Sequence, residues 1–214
     1  MDAIGLVFYP KSPRFLHIDD ALVLRHVLPS YVACVGLFVN ADPAVVREHR
    51  SKLGLDVVQF HGDETMSQIS KSVAREKHSS NQLSSSPAGT NPFGSSHSSP
   101  FWRALRVRPD SDLIELSAPY TAAEALLLDA HSETFGGTGQ GFDWSQAKSL
   151  PPDRIILAGG LDADSVAQGI SALRPFAVDV SSGIQAEHAR AKSPGRMEQF
   201  MAAVQQADFL KVSR

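Results

Sequence analysis

The chain has 214 residues, 43% hydrophobic and 20% charged, which suits one packed α/β domain. A net charge of −3, from 20 Lys and Arg against 23 Asp and Glu, offers no basic surface for nucleic acid or an anionic membrane. The single cysteine, Cys34, excludes an internal disulfide and any multi-cysteine metal site and fits a reducing compartment such as the cytoplasm, and no apolar run approaches the roughly 20 residues of a membrane span.

The N-terminus, MDAIGLVFYP, lacks the basic region and cleavage pattern of a signal peptide. It reads instead as a strand over Ala3–Phe8. Acids in a first turn, with Ala21, Leu24 and Leu28 on one face, predict a helix over Asp19–Leu28. Val32–Val39 (VACVGLFV) is a second apolar strand. Asp42 and Pro43 supply an N-cap and a first helical residue for a helix that buries Val46 and Leu53. Val57–Phe60 is the third strand and Thr65–Lys77 the third helix. His78–Pro100 is rich in Ser, Gly, Pro and Asn and nearly free of aliphatics. It cannot bury enough to offset its ordering and reads as a disordered insertion within a single domain spanning 1–214. A tolerated surface insertion is favoured over a phosphorylated regulatory loop, because long surface loops cost little.

Strands resume at Trp102–Val107 and Ala125–Asp129, with room for a short helix in Asp110–Ala118. A short helix over Trp144–Ser149 and a strand over Arg154–Ala158 follow. Asp162 then caps a helix with Val166, Ile170 and Leu173 on one face. Ala177–Val180 is the last strand, and Pro194–Gln205 the last helix, striped by Met197, Met201 and Val204. Seven strands alternating with about seven helices imply a parallel sheet covered on both faces. An open doubly wound sheet accommodates seven strands, whereas a (β/α)8 barrel needs one unit more.

In either architecture ligands gather at the C-terminal ends of the strands. Gly159-Gly160 and Ser182-Gly183 follow two neighbouring strands there. Their glycines let backbone N–H groups approach an anion, although each pair alone is also ordinary turn chemistry. Asp129 ends the apolar run LLLD. It is either a cap or salt-bridge partner, or a proton donor at the foot of a glycine-rich loop, Gly136, Gly137, Thr138 and Gly139, that folds over the site and excludes water. Arg14, after the rigid YPKSP segment, is either a surface charge or a bidentate carboxylate grip. His61 follows the third strand, where it is a helix cap or part of a site. Asp179 lies within the last strand, facing the barrel interior or neighbouring loops.

DAIGLVFYPKSPR, VGLFVNADPAVV, LDVVQFHGDE, LLLD…GGTGQGFDW, LAGGLDADSV and VDVSSGIQ…SPG occur in an order and spacing that resemble phosphoribosylanthranilate isomerase. The resemblance covers the chain outside 78–100 and implies a TIM (β/α)8-type barrel of tryptophan biosynthesis, a cytoplasmic monomer or homodimer acting on a phosphosugar. It implies an Amadori rearrangement of N-(5-phosphoribosyl)anthranilate to 1-(2-carboxyphenylamino)-1-deoxyribulose 5-phosphate, with no cofactor and no metal. By the same resemblance Asp129 is the general acid, Arg14 holds the anthranilate carboxylate, Gly159, Gly160, Ser182 and Gly183 cradle the phosphate, and His61 and Asp179 line the site. The family's general-base cysteine sits in a K-x-C-G-x-T motif ending its first strand, and the present sequence has no such motif. The chain begins where the family's second strand would begin, so the first strand and helix are expected to be missing, leaving seven strands and weak turnover. An organelle address upstream of Met1 would change the expected location. Cys34, mid-strand, is expected to be an inert buried thiol. Two other readings remain beside the isomerase: a barrel fragment that binds a phosphorylated ligand or partner without turnover, and another phosphosugar isomerase.

Overall fold

The computed structural model describes residues 1–74, 99–130, 143–187 and 191–212, with the side chains of 210–212 left out. Seven parallel strands form one sheet in sequential order. They are β1 (Ala3–Val7), β2 (Ala33–Phe38), β3 (Val57–Phe60), β4 (Phe101–Val107), β5 (Ala125–Ala130), β6 (Ile155–Leu157) and β7 (Ala177–Val178). The helices are α1 (Ile18–Val27), α2 (Pro43–Leu53), α3 (Met66–Val73), α4 (Leu113–Ser117), α5 (Val166–Leu173) and α6 (Pro194–Val212).

Sequential order means that each crossover moves one strand in the same direction. Right-handed crossovers then place every helix on one face, and the other face is buried only if the sheet curls on itself. The apolar residues divide accordingly. Leu126, Leu128, Ile155 and Leu157 belong to the large helix-side cluster. Ala104, Ala125, Leu127, Ile156 and Ala158, with Trp102 and Ala177 against them, form a second, inner cluster. The alternation along β5 and β6 is the period-2 pleat. An open sheet with a switch point is excluded by the strand order, and the seven strands of a barrel-type sheet are present.

Local chemistry sets most boundaries. Asp42 accepts a 2.7 Å hydrogen bond from Ala44 N, Pro43 opens α2, and Gly54 closes it in the left-handed region (φ 58). Val46 and Leu53 are 0% and 2% exposed, as their spacing predicts. Thr65 and Gln68 form a reciprocal capping box on α3. That helix ends at Val73 because Ala74 is extended (ψ 135), short of the expected Lys77.

Other expectations need correction. On α1 the buried residue is Ala21, with Ile18, Leu22 and Leu28 against the core, while Leu24 is 40% exposed. Leu22, Val23, Leu24, Val27 and Leu28 nearly encircle this helix, so periodicity could not orient it. On α6, which continues to Val212, Phe200 and Ala207 are the buried positions; Met197 and Met201 are only half-buried. Trp144–Ser149 forms a 3₁₀ rather than an α-helix. Asp162 does not cap α5 directly. Its carboxylate accepts from Ser165 N (2.9 Å) and Ser165 Oγ (2.7 Å), holding the preceding turn, while its carbonyl accepts from Val166 N. The last strand stops at Val178, before the expected Val180. Of the serine-rich 78–100, only Ser99 and Pro100 lie within the described residues. Among the described residues no helix is long and apolar enough to cross a membrane.

Candidate active site

Asp129 follows Leu127 by two residues, so it shares the inner face at the C-terminal end of β5. It is 7% exposed, and its Oδ2 lies 3.3 Å from His61 Nε2. His61 is placed by its own backbone: its N–H donates to Phe38 O at 2.9 Å, continuing the β2–β3 ladder. Gln59, two residues earlier on the same face, approaches His61 Nδ1 through Nε2 at 3.4 Å. With the Gln59 amide donating there, a neutral imidazole carries its proton on Nε2 and donates it to Asp129.

A buried staple fixes the turn after His61. Glu64, 3% exposed, accepts from Asn40 N (2.6 Å), Gly62 N (2.9 Å) and Arg103 Nη1 (2.7 Å). Arg103 Nη2 also donates to Gly62 O at 2.8 Å, and its guanidinium lies 4.7 Å from the Tyr120 ring centroid. A Cβ on Gly62 would overlap the Asn40 side chain, so only glycine fits this turn. The staple ties the ends of β2 and β3 to Arg103 of β4 beside His61.

Gly159 and Gly160 both adopt left-handed φ, 77° and 69°. A Cβ on Gly159 would stand 2.5 Å from Ala130 N and 2.9 Å from Asp129 Oδ1, so this turn lies directly against the acid. A Cβ on Gly183 would overlap the Leu161 carbonyl oxygen, so the loops after β6 and β7 interlock. Ser182–Ile184 forms one 3₁₀ turn there. Arg14 crosses from the opposite edge of the sheet: its Nη2 donates to Gln185 Oε1 at 3.5 Å, and that contact between the loops after β1 and β7 shows how far the sheet curls. Arg14 Nε is buried with no hydrogen-bond partner among the described residues.

Asp179 stands just beyond β7 rather than within it, its N–H donating to Leu157 O at 2.8 Å. It opens to solvent at the mouth, yet protein crowds its carboxyl on the other sides. Lost hydration first, and the Asp129 charge second, push its pKa above the ordinary carboxylate range, against the pull of His61, Lys192 and Arg14. An acid whose folded pKa is raised takes up protons on folding, so its contribution to stability is fullest below the unfolded value and is lost as pH rises through the folded one. Asp179→Asn is therefore expected to raise the thermal midpoint at pH 7 and to leave it nearly unchanged at pH 3, which melting curves across that range would measure.

The structure thus brings Arg14, His61, Asp129, Asp179, Gly159, Gly160, Ser182 and Gly183 to one end of the sheet. Gly136, Gly137, Thr138 and Gly139 lie outside the described residues. Cys34 is fully buried on β2 and burial pushes its thiol pKa up, as expected of an inert cysteine. Sequence reasoning missed Gln59, Arg103, Arg106 and Lys192. Arg106 is aligned with Asp129 across β4 and β5 and pairs with Asp63 at 2.7 Å. A polar residue inside VVQF and two arginines inside FWRALRV were visible signals; nothing in the sequence marked Lys192.

The family model for N-(5'phosphoribosyl)anthranilate (PRA) isomerase matches residues 1–88 and 95–203. The chain belongs to the PRA isomerase family. The N-(5'-phosphoribosyl)anthranilate isomerase of Leptothrix cholodnii is 41% identical over 207 residues, 97% of this chain and 82% of its own. That of Dechloromonas aromatica is 40% identical over 207 residues, 97% of this chain and 87% of its own. Among solved structures, phosphoribosyl anthranilate isomerase from Thermotoga maritima superposes with a TM-score of 0.77 at 31% identity, over 96% of this chain and 88% of that one. A further PRA isomerase crystal structure, in complex with reduced 1-(o-carboxyphenylamino)-1-deoxyribulose 5-phosphate, gives 0.73 at 29% identity, over 96% and 88%. These matches carry the PRA isomerase family and its barrel; they lend no support to the expected loss of a first strand and helix.

Proposed function

We propose that this chain catalyses the Amadori rearrangement of N-(5-phosphoribosyl)anthranilate to 1-(2-carboxyphenylamino)-1-deoxyribulose 5-phosphate in tryptophan biosynthesis. The observation that carries the reading is the position of Asp129, an enclosed carboxyl with His61 on one side and the Gly159 turn on the other. The interlocked Gly159-Gly160 and Ser182-Gly183 turns offer backbone amides to a phosphate, and Arg14 reaches across the mouth toward a ring carboxylate. A substrate gripped at both ends lays its furanose over Asp129.

In this reading Asp129 gives its proton to the ring oxygen, the C1–O bond breaks, and the nitrogen lone pair forms the C1=N⁺ iminium. Removal of the C2 proton then sends the C2–H electrons into a C1–C2 enolamine, which becomes the ketone by protonation at C1 and loss of the C2 hydroxyl proton. His61 holds the Asp129 carboxyl in line through its Nε2–H. Cys34 does not take the C2 proton, since it is buried in the helix-side core. The resemblance assigns that task to a cysteine motif that these 214 residues do not contain, so turnover by the 214-residue polypeptide is expected to be slow.

A fluorescence assay on enzymatically generated N-(5-phosphoribosyl)anthranilate tests the reading, together with calorimetric titration of the reduced product analogue. Turnover above the uncatalysed rate with saturable analogue binding supports the isomerase. Binding without turnover supports the binding-fragment alternative, and absence of both rejects the site. Gly183→Ala is expected to weaken analogue binding by about tenfold or more, because its methyl group would force the Leu161 backbone away and misplace the phosphate turn.

A further inference from the structure

Lys192 is a cation of the mouth to which the family reading gives no task. It lies on the segment leading into α6, where its backbone pairs antiparallel with Gln185. Its Nζ donates to Ser181 O at 2.7 Å and Ser181 Oγ at 3.3 Å. An ammonium has three donors, so one N–H remains without a partner among the described residues. Gln185, its backbone partner, also receives the Arg14 guanidinium, which leaves Arg14 and Lys192 flanking the same residue. Arg14 in turn has the buried Nε without a partner among the described residues.

We propose that Lys192 is a second cation for the substrate's ring carboxylate, a specificity-determining residue that acts beside Arg14 and is aimed by Ser181. The inference rests on the isomerase reading. Two cations flanking one residue repel one another, and lost hydration first and the Arg14 charge second draw the Lys192 pKa down, with Asp179 opposing. Such a pair waits for an anion. The ring carboxylate supplies one charge and two oxygens, and the Arg14 guanidinium with the remaining Lys192 N–H supplies a donor for each. Ser181 fixes the direction of the ammonium and links this subsite to the adjacent phosphate turn at Ser182.

Calorimetric titration of the full 214-residue chain with three ligands tests the proposal: the reduced product analogue, its counterpart lacking the ring carboxylate, and its counterpart lacking the phosphate. Lys192→Gln is expected to weaken the complete and phosphate-free analogues by about tenfold, the scale of a charged hydrogen bond, and to leave the carboxylate-free one nearly unchanged. Lys192→Arg should restore most of the loss. Equal weakening of the carboxylate-bearing and carboxylate-free ligands would overturn the proposal and assign Lys192 to the phosphate turn; no effect on any ligand would overturn it outright. If the unaltered chain binds none of the three, the isomerase reading fails and takes this inference with it, an outcome distinct from intact binding that ignores Lys192. Lys192 is exposed, and equal thermal midpoints would show that the variants remain folded.

Discussion

Asp129→Asn is expected to reduce whatever turnover the chain shows by about 10²–10⁴-fold, the range for loss of a general acid, while leaving affinity for the reduced product analogue within a few-fold. The amide is nearly isosteric, so His61, Gly159 and the β5 backbone stay in place, but it has no proton of suitable acidity for the ring oxygen. The separation of turnover from binding is the informative part. A side chain that merely supported the fold would lower both, together with the thermal midpoint. Turnover preserved in Asp129→Asn would move the acid elsewhere, with Asp179 next in line.

The second large effect concerns stability. Glu64→Gln removes the negative charge facing Arg103 in a site where the two residues are 3% and 6% exposed. Breaking a buried ion pair by neutralising one partner costs about 3–5 kcal/mol. At about 2–4 °C per kcal/mol for a chain of this size, the thermal midpoint should fall by roughly 6–20 °C. Arg103→Met should cost less in the Glu64→Gln background than alone, because the two groups are in direct contact. Chemical denaturation of the four proteins measures the coupling. Additive losses would mean that backbone donors, rather than Arg103, hold the Glu64 carboxylate.

The staple also illustrates how the site is built. His61 is brought to Asp129 by two strand ends tied to β4 through one carboxylate, and Glu64 takes the backbone N–H groups of Asn40 and Gly62 while it pairs with Arg103. Asn40 itself has φ 51, a strained position for a residue with a side chain, and its Oδ1 accepts from Asp63 N at 2.7 Å. Rigidity at this corner is the condition for a 3.3 Å contact between His61 and Asp129 to persist.

Much of this was legible in the chain of residues alone. The strands of β2, β3 and β5, the Asp42-Pro43 start of α2, and the strand-end placement of Arg14, His61, Asp129 and the two glycine turns all follow from period, capping and punctuation, which are local properties. Orientation was less legible. Leu24 and Met201 stand where apolar periodicity buries them, yet the partner surfaces that select a helix face come from distant segments. Asp162 reads as a helix cap but serves the turn before it, because cap geometry depends on dihedral angles that residue type only biases.

The sequence by itself determined the alternation of strand and helix, the parallel sheet and the family, since those reside in short-range pattern and in motifs carried on contiguous residues. Only the tertiary structure decided that the strands run in unbroken order, that Arg14 meets Gln185 across 171 positions of chain, and that Arg103 serves Glu64 while Lys192 stands beside Arg14's partner. The reason is physical. Curling a sheet brings together groups whose encounter depends on closure of the whole chain, and no local preference of either partner records where the other will be.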